Sequence, residues 1–424
     1  MLNPKTQERE LAYVVLIDKI EPIIGSDNCE SATVCGWHIM VRKEQFKVGE
    51  PAVYFEIDSK VPSDKAYFAF LKKRNYKVKT QKFTFGGKGN FISQGLLMHA
   101  EDFGWHIENL AEDVNICIVD DKNARHYPND ESRFLTKQLN VIYADEEDNQ
   151  RKAAPVDKYK KMASRHPKLF KKPIIRWIMK YKFGREIMFF FFGHKKDKTT
   201  GFPTKFPFVK KTDQERCENI PNILQDKTPY IRTEKCDGSS GTFILERLKR
   251  KNKFEFYVCS RNVRMLKPTQ ECFYGNDNYY WEVAIKYDIE NKLKDYLIKH
   301  PELSYVCWQG EICAPKIQSN AHHLKNTHLY LFHMIDSIKG RYDIRDAKTI
   351  WESYNMEHVP IDDNLYVFPD NFEEFKLSAD GYYNSSVCEG NAQIAREGYV
   401  YYKSTDPNFS FKNVSRIYLL KNSK

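Results

Sequence analysis

The segment Thr233-Glu234-Lys235-Cys236-Asp237-Gly238 sets a lysine at the end of an alternating strand, with an Asp-Gly turn directly after it. An amine so placed stands at the rim of a cleft, and the glycine lets backbone approach a nucleotide closely. Lysine is a nucleophile only without its proton, so burial, a metal ion or neighbouring cations must lower its pKa. Three fixed residues match by chance in about one chain in ten of this length. A surface turn beside an ordinary lysine has the same sequence. The weight of the segment therefore rests on what surrounds it.

From Tyr230 onward, strand-like stretches alternate with expected helices. The strands are Tyr230–Thr233, Thr242–Leu245, Phe254–Cys259, Tyr305–Trp308, His328–Ile335 and Gly398–Tyr402; the helices are Tyr279–His300 and Ile344–Met356. This predicts an α+β domain on antiparallel sheets. Thr212-Asp213-Gln214-Glu215 fits a capping box and predicts a helix starting near Asp213. Residues 1–120 read as strands: Leu11–Ile20, Ala32–Val41 with a break at Cys35-Gly36, Ala52–Ile57, and Phe83–Phe85 with Phe91–Met98 around a glycine-rich turn. Short strands at this spacing predict a small β-barrel, of the oligonucleotide-binding (OB) or the SH3-like kind. The expected organisation is a barrel at 1–120, a connector with a basic, partly helical segment at 121–205, and a third unit at 206–424.

The 424 residues are too many for one core at roughly 150 residues per domain. With 41% apolar and 29% charged residues the chain reads as globular. No apolar run reaches the ~18 residues of a membrane helix; the greasiest, Ile174–Phe192, is broken by Arg176, Lys180, Lys182, Arg185 and Glu186. Met1–Glu10 has no apolar leader core, and the ten cysteines contain no CxxC pair, which argues against secretion, zinc ribbons and thioredoxin-type chemistry. An intracellular protein with reduced thiols is expected, its compartment unspecified. The net charge of +10 favours polyanionic partners. It is concentrated: residues 151–211 hold 19 Lys/Arg against three acids, after an acidic loop at Asp145–Asn149. Residues 174–188 could form a basic amphipathic helix with Ile174, Ile175, Ile178 and Met179 on one side. A packed helix, a nucleic-acid surface and a membrane-surface helix all fit that pattern. Lys171, Lys172 and Arg176 are the candidate nucleic-acid contacts.

The Lys235 segment resembles motif I (KxDG) of the covalent nucleotidyltransferases, the superfamily of polynucleotide ligases and mRNA capping enzymes. Five further elements resemble its other motifs in order: Ser260-Arg261-Asn262, Gly310-Glu311-Ile312, Leu329–Asp336, Glu397-Gly398-Tyr399-Val400 and Phe411-Lys412. The resemblance implies an antiparallel-sheet, ATP-grasp-like ligase domain. It implies that Lys235 attacks the α-phosphate of ATP to form a lysyl-AMP phosphoramidate. Arg261 would contact phosphate, where a planar guanidinium grips well. Glu311 would accept a hydrogen bond from the ribose, and Glu234 is counted with the nucleotide contacts. Phe332 would stack on adenine, with Tyr330 of the same strand parity as the alternative. Asp237 and Glu397 would hold a divalent metal, Mg2+ or Mn2+. Lys412 would neutralise charge on the α-phosphate.

Three N-terminal stretches are similar to one branch of that superfamily, the RNA ligases typified by the Deinococcus and Naegleria enzymes: Phe46–Ser59, Phe91–Leu96 and Pro207–Arg216. Gly310–Asn320 resembles the same branch. That likeness implies an OB barrel ahead of the ligase domain, and sealing of 3′-OH/5′-phosphate nicks in RNA or RNA/DNA duplexes, with no obligatory protein partner. Only 12 residues follow Lys412, too few for the C-terminal barrel of DNA ligases and capping enzymes. An RNA-capping guanylyltransferase and a degenerate, non-catalytic RNA-binding protein are the alternatives. One departure stands out. Related ligases carry a second lysine two residues after the first in the last motif; here that position is Val414, and Arg416 or Lys421 are the cations expected to compensate. Cys236 is expected to be a buried, inert thiol, and the pair His322-His323 is not expected to bind zinc.

Overall fold

Alternating residues at the N-terminus do form a barrel. In this computed structural model the described residues are 1–6, 8–86, 89–110, 115–144, 167–170, 172–192, 204–205, 208–209, 213–248, 253–261, 263–265, 279–389 and 393–422. Strand Ala12–Leu16 pairs antiparallel with Pro51–Phe55, which pairs with Leu96–Met98. A second sheet joins Lys19–Pro22, Cys29–Val34 and Trp37–Arg42. The expected break at Cys35-Gly36 is a hairpin turn, with Cys35 in the left-handed region (φ 52°). The glycine-rich turn joins the hairpin Gln81–Thr84/Asn90–Ser93; its tip, 87–88, and the acidic loop 145–150 lie outside the described residues.

The part of the chain that follows residue 203 is built on two sheets. The larger, among the described residues, runs Thr204–Lys205, Val263–Met265, Lys253–Cys259, Ser239–Leu248, Tyr305–Cys313, His328–Asp336, Gly340–Arg341. The smaller runs Glu215–Arg216, Asp406–Val414, Gly398–Lys403, Tyr230–Glu234. One core joins them: Phe243, Trp308, Leu331 and Met334 of the first sheet pack with Ile231, Val400 and Tyr402 of the second and with helices Tyr279–Lys286, Ile289–Lys299 and Ile344–Ser353. The single helix expected over Tyr279–His300 is two, because Asp288 takes a left-handed conformation (φ 51°) between them. The fold class expected from the sequence, a β-barrel followed by an α+β unit on antiparallel sheets, is the one observed.

Two local expectations are corrected. No helix starts near Asp213: Glu215–Arg216 is a short strand parallel to Phe411–Lys412, followed by a 3-10 turn at Cys217–Asn219. The Glu215 carboxylate is held by Asn219 Nδ2 (2.8 Å) and by Leu2 N–H, so it is not available to cap a helix. The basic stretch 174–188 is likewise not one helix but two, Pro173–Ile178 and Lys182–Phe192, with Ile175, Ile178 and Met179 inward and Ile174 exposed.

The barrel is locked to the ligase sheets by a buried polar knot. Glu56, fully buried in the barrel, accepts hydrogen bonds from Arg9 (3.0 Å), Tyr13 Oη (3.0 Å) and Asn219 Nδ2 (2.9 Å), and pairs with the Met1 amine. Asn219 Oδ1 in turn accepts from Trp37 Nε1 (2.7 Å) and Tyr13 Oη (3.1 Å). Arg216 donates to Asp58 across the same boundary (2.8 Å). Gly36 N–H donates to Glu218 O (2.7 Å), and a Cβ there would sit 2.6 Å from the Phe372 ring, so only glycine fits this contact. Burial alone would raise the Glu56 carboxyl, but the amine and Arg9 outweigh it and hold it down to about 2. A carboxyl depressed in the folded state contributes stability above its ordinary value and loses it as pH falls through the folded value. Glu56→Gln should therefore lower stability by about 3 kcal/mol near neutral pH, read as a fall in the urea midpoint. The gap to wild type should close as pH drops from the ordinary 4.5 toward about 2. Equal midpoints near neutral pH would exclude the knot as the lock.

Candidate active site

The turn after strand Tyr230–Glu234 is fastened at nearly every backbone group. Lys235 N–H donates to Gly398 O (3.0 Å), and Lys235 O accepts from Tyr383 Oη (3.2 Å). Asp237 N–H donates to His322 Nε2 (3.0 Å), and the Cys313 thiol lies 3.6 Å from Asp237 O. His322 accepts through its lone pair, which requires the neutral ring; burial holds its pKa down to about 4. Gly238 does approach backbone closely, but that of the chain itself: a Cβ would meet Ile312 O at 2.4 Å. The absent side chain thus presses the strand bearing Glu311 against the lysine turn. Gly398 has φ 145° and would clash with Asn413 O, which lets Glu397 enter the site directly ahead of its strand.

These constraints bring one amine among three carboxylates. Lys235 Nζ lies 2.7 Å from Glu397 Oε1, with Glu311 and Asp237 near enough to act on its charge. Burial pulls the ammonium pKa down; Glu397, then Glu311 and Asp237, outweigh it, so it stands above the ordinary lysine value. Glu311 moves the other way. Burial, with Glu397 and Asp237 partly offset by Lys235, pushes it up to about 8. Glu397 Oε2 is buried and has no hydrogen-bond partner among the described residues. A surplus of partly buried carboxylates with an orphaned oxygen is the donor chemistry a divalent cation needs. The described residues hold no ready-made group of three or more His, Cys, Asp or Glu ligands, so other donors would have to come from water or substrate.

The cations meet on Asp213. Its carboxylate accepts from Arg261 (2.8 Å), Lys412 (3.3 Å) and the barrel's Arg9 (3.4 Å). These charges hold Asp213 well below the carboxylate range despite burial. Burial and Arg9 hold Lys412 down to about 7, so near neutral pH this lysine is only partly charged. Asn262, beside Arg261, lies outside the described residues. Sequence reading missed Asp213 and Arg9 as site residues, because nothing local distinguishes them; it also missed His322 and Tyr383 as braces.

The remaining candidates fall in three places. Glu234 is held by other partners: its carboxylate accepts from Asn384 N–H (3.0 Å) and pairs with Arg396 (3.5 Å). Phe332 is half-buried with its ring nearly perpendicular to that of His333, whereas Tyr330 is buried and stacked on His328. Of the two, Phe332 is the more accessible. Lys172 is exposed beside helix Pro173–Ile178; Lys171 and the Arg176 side chain lie outside the described residues. Val414 is buried in the barrel's own core with Tyr13, Trp37 and Tyr54. Arg416 does not replace the missing lysine, since it pairs with Glu373 (2.6 Å), which also bonds His38 of the barrel. The cations acting on Lys412 are Arg9, Arg216 and Lys235. Cys236 is buried with its thiol pKa pushed up, as expected of an inert group.

Residues 11–99 match a family model described as an OB-fold domain, and residues 228–415 match the family model of RNA ligase. Solved structures of Naegleria gruberi RNA ligase are similar over nearly all of both chains. One complex with PPi is 24% identical, covering 98% of this chain and 99% of that one, with TM-score 0.65. A lysine-to-alanine mutant with ATP and Mn is 25% identical, covering 98% and 100%, with TM-score 0.65. No curated protein sequence matches. The class so defined is an RNA ligase domain with an OB-fold domain ahead of it, as the ordered motifs implied.

Asp213→Asn leaves three cations without their shared anion. Its stability should fall by about 3 kcal/mol. Inorganic pyrophosphate should restore more stability to the variant than it adds to wild type, measured as shifts in thermal midpoint. Absence of both effects would show that Asp213 is not the anchor of this cluster.

Proposed function

We propose that the chain is an ATP-dependent RNA ligase that seals 3′-OH/5′-phosphate nicks in RNA-containing duplexes through a lysyl-AMP intermediate. The observation that carries this reading is the Lys235 amine, held by its backbone 2.7 Å from Glu397, with Lys412 near enough to feel its charge and Arg261 and Lys412 gathered on Asp213. In the first step the neutral Lys235 amine attacks the α-phosphorus of ATP. A P–N bond forms, the P–O bond to pyrophosphate breaks, and the amine's proton leaves. The AMP then passes to a 5′-phosphate, and a 3′-OH displaces it to close the strand.

The chain's own groups match these needs. Asp237 and Glu397 would hold the divalent cation, Mg2+ or Mn2+, whose charge cancels that of the carboxylates now keeping Lys235 protonated. Arg261 and Lys412 would exchange Asp213 for nucleotide phosphates, and Lys412 would gain its proton as phosphate charge arrives beside it. Glu311, raised to about 8, holds a proton near neutral pH and can donate to, or accept from, a ribose hydroxyl. Phe332 would stack on the adenine. The Val414 departure does not favour a degenerate domain, because that position serves barrel packing here. Complexes of the Naegleria enzyme with ATP, AMP, Mn and PPi support the same choice of nucleotide and ion.

Incubation with α-labelled ATP and Mg2+, followed by a denaturing gel, should label the wild-type protein and leave Lys235→Ala blank. Lys412→Ala should label at least about a hundredfold more slowly. Label from GTP alone would make the chain a capping-type guanylyltransferase; no label from either nucleotide in folded protein would leave only RNA binding. The pH dependence follows from Lys235. Its pKa lies above the ordinary value, so the neutral fraction grows as pH rises, and the single-turnover labelling rate should climb about tenfold per pH unit from about pH 6 to about pH 8. A flat profile with chemistry rate-limiting would contradict a protonated resting lysine.

A further inference from the structure

The helical segment between barrel and ligase sheets has two apolar faces and uses only one. Helices Pro167–Phe170, Pro173–Ile178 and Lys182–Phe192 build a small core of their own from Phe170 and Met188, with Leu169, Ile175, Ile178, Met179 and Phe189 packed around them. A second set faces outward. Ile174 and Trp177 stand three apart on helix Pro173–Ile178, Tyr181 lies in the bend that follows, and Phe183 and Ile187 stand four apart on the next helix. Their exposure runs from 40% for Ile187 to 78% for Phe183, and the Trp177 and Tyr181 rings meet edge to face at 5.3 Å. Lys172 and Lys180 are exposed beside them. From 167 to 192 the sequence holds seven Lys/Arg and one acid, Glu186. The two matching family models end at 99 and begin at 228, so the segment lies outside both. No described helix is long and apolar enough to cross a membrane.

We infer that this outward face docks the protein on an anionic lipid surface, its aliphatic and aromatic side chains entering the headgroup boundary and its lysines meeting lipid phosphates. The composition separates this from the other occupants. Trp and Tyr suit the boundary region, and Ile and Phe gain there by burial. A nucleic acid would use the lysines and rings but leave Ile174 and Ile187 in water, since neither stacks on a base nor binds phosphate. The core of a protein–protein interface is depleted in lysine. A second copy of the chain would bring together two segments that are both strongly basic. Added positive charge near the face strengthens attraction to acidic headgroups and weakens with salt.

The test is flotation of the full-length protein with phosphatidylcholine vesicles, with and without phosphatidylserine. Wild type should float only with the acidic lipid, and less as salt rises. Trp177→Ser/Phe183→Ser/Ile187→Ser alters exposed positions only and should cut partitioning by roughly tenfold or more, while AMP labelling of Lys235 stays at the wild-type rate as proof of folding. Lys172→Glu/Lys180→Glu should lose the preference for phosphatidylserine. No flotation with either vesicle, or flotation unchanged in the triple variant, overturns the inference. So does a triple variant that loses affinity for a nicked RNA duplex while wild type ignores vesicles, which would give the face to RNA. Failure of AMP labelling in wild type would bear on the ligase reading alone, with circular dichroism then serving as the folding control.

Discussion

One carboxylate holds this enzyme's separate parts in register. Asp213 gathers Arg9 from the barrel, Arg261 from the larger ligase sheet and Lys412 from the smaller one. Each cation alone would be costly to bury, and a shared anion within reach of all three offsets much of that cost. The cluster is thus a structural anchor between the three parts, and under the proposed ligase reading it is also where phosphate would take the place of the carboxylate.

The barrel's docking explains a departure that looks like decay when read along the sequence. The strand bearing Lys412 continues two residues to Val414, which enters the hydrophobic core shared with Tyr13, Trp37 and Tyr54. A lysine there would have to leave that core or be buried in it uncompensated. Arg9 and Arg216 bring positive charge toward Lys412 from the boundary instead, each tied to carboxylates: Arg9 to Glu56 and to the shared Asp213, Arg216 to Asp58. The apolar and polar halves of one interface therefore work together. Val414 and Leu419 seat the barrel, and the seated barrel supplies the cation that its own position displaced.

Much of this architecture was legible in the sequence because its signals are local. Alternation and turn chemistry located the barrel strands, the Lys235 strand and the hairpin at 81–93, and the order of short motifs located the ligase domain. What was not legible depends on distance. Asp213 looked like the start of a helix because Thr212 and Glu215 have capping types; the parallel pairing of Glu215–Arg216 with Phe411–Lys412, nearly two hundred residues away, decided otherwise. Arg9 and Glu56 carry no local pattern, and their role exists only once barrel and sheets are in contact. Gly238 was readable as a residue that permits close approach, but which partner approaches required the strand Tyr305–Cys313 to be in place.

The two lysines of the candidate site are perturbed in opposite senses. Lys235 sits among carboxylates and stays charged; Lys412 sits near Arg9, Arg216 and Lys235 itself and is held down to about 7. Under the proposed ligase reading neither state is the one its task requires, since the nucleophile must be neutral and the phosphate partner charged. A metal–nucleotide complex would act on both: positive charge beside Glu397 and Asp237 would loosen the proton on Lys235, and negative charge beside Lys412 would tighten the proton there. The free protein pairs Lys235 with Glu397 and Lys412 with Asp213, and on that reading the substrate would supply the charges that undo both pairs. Arg9 is one of the charges that act on Lys412, so the barrel takes part in this balance.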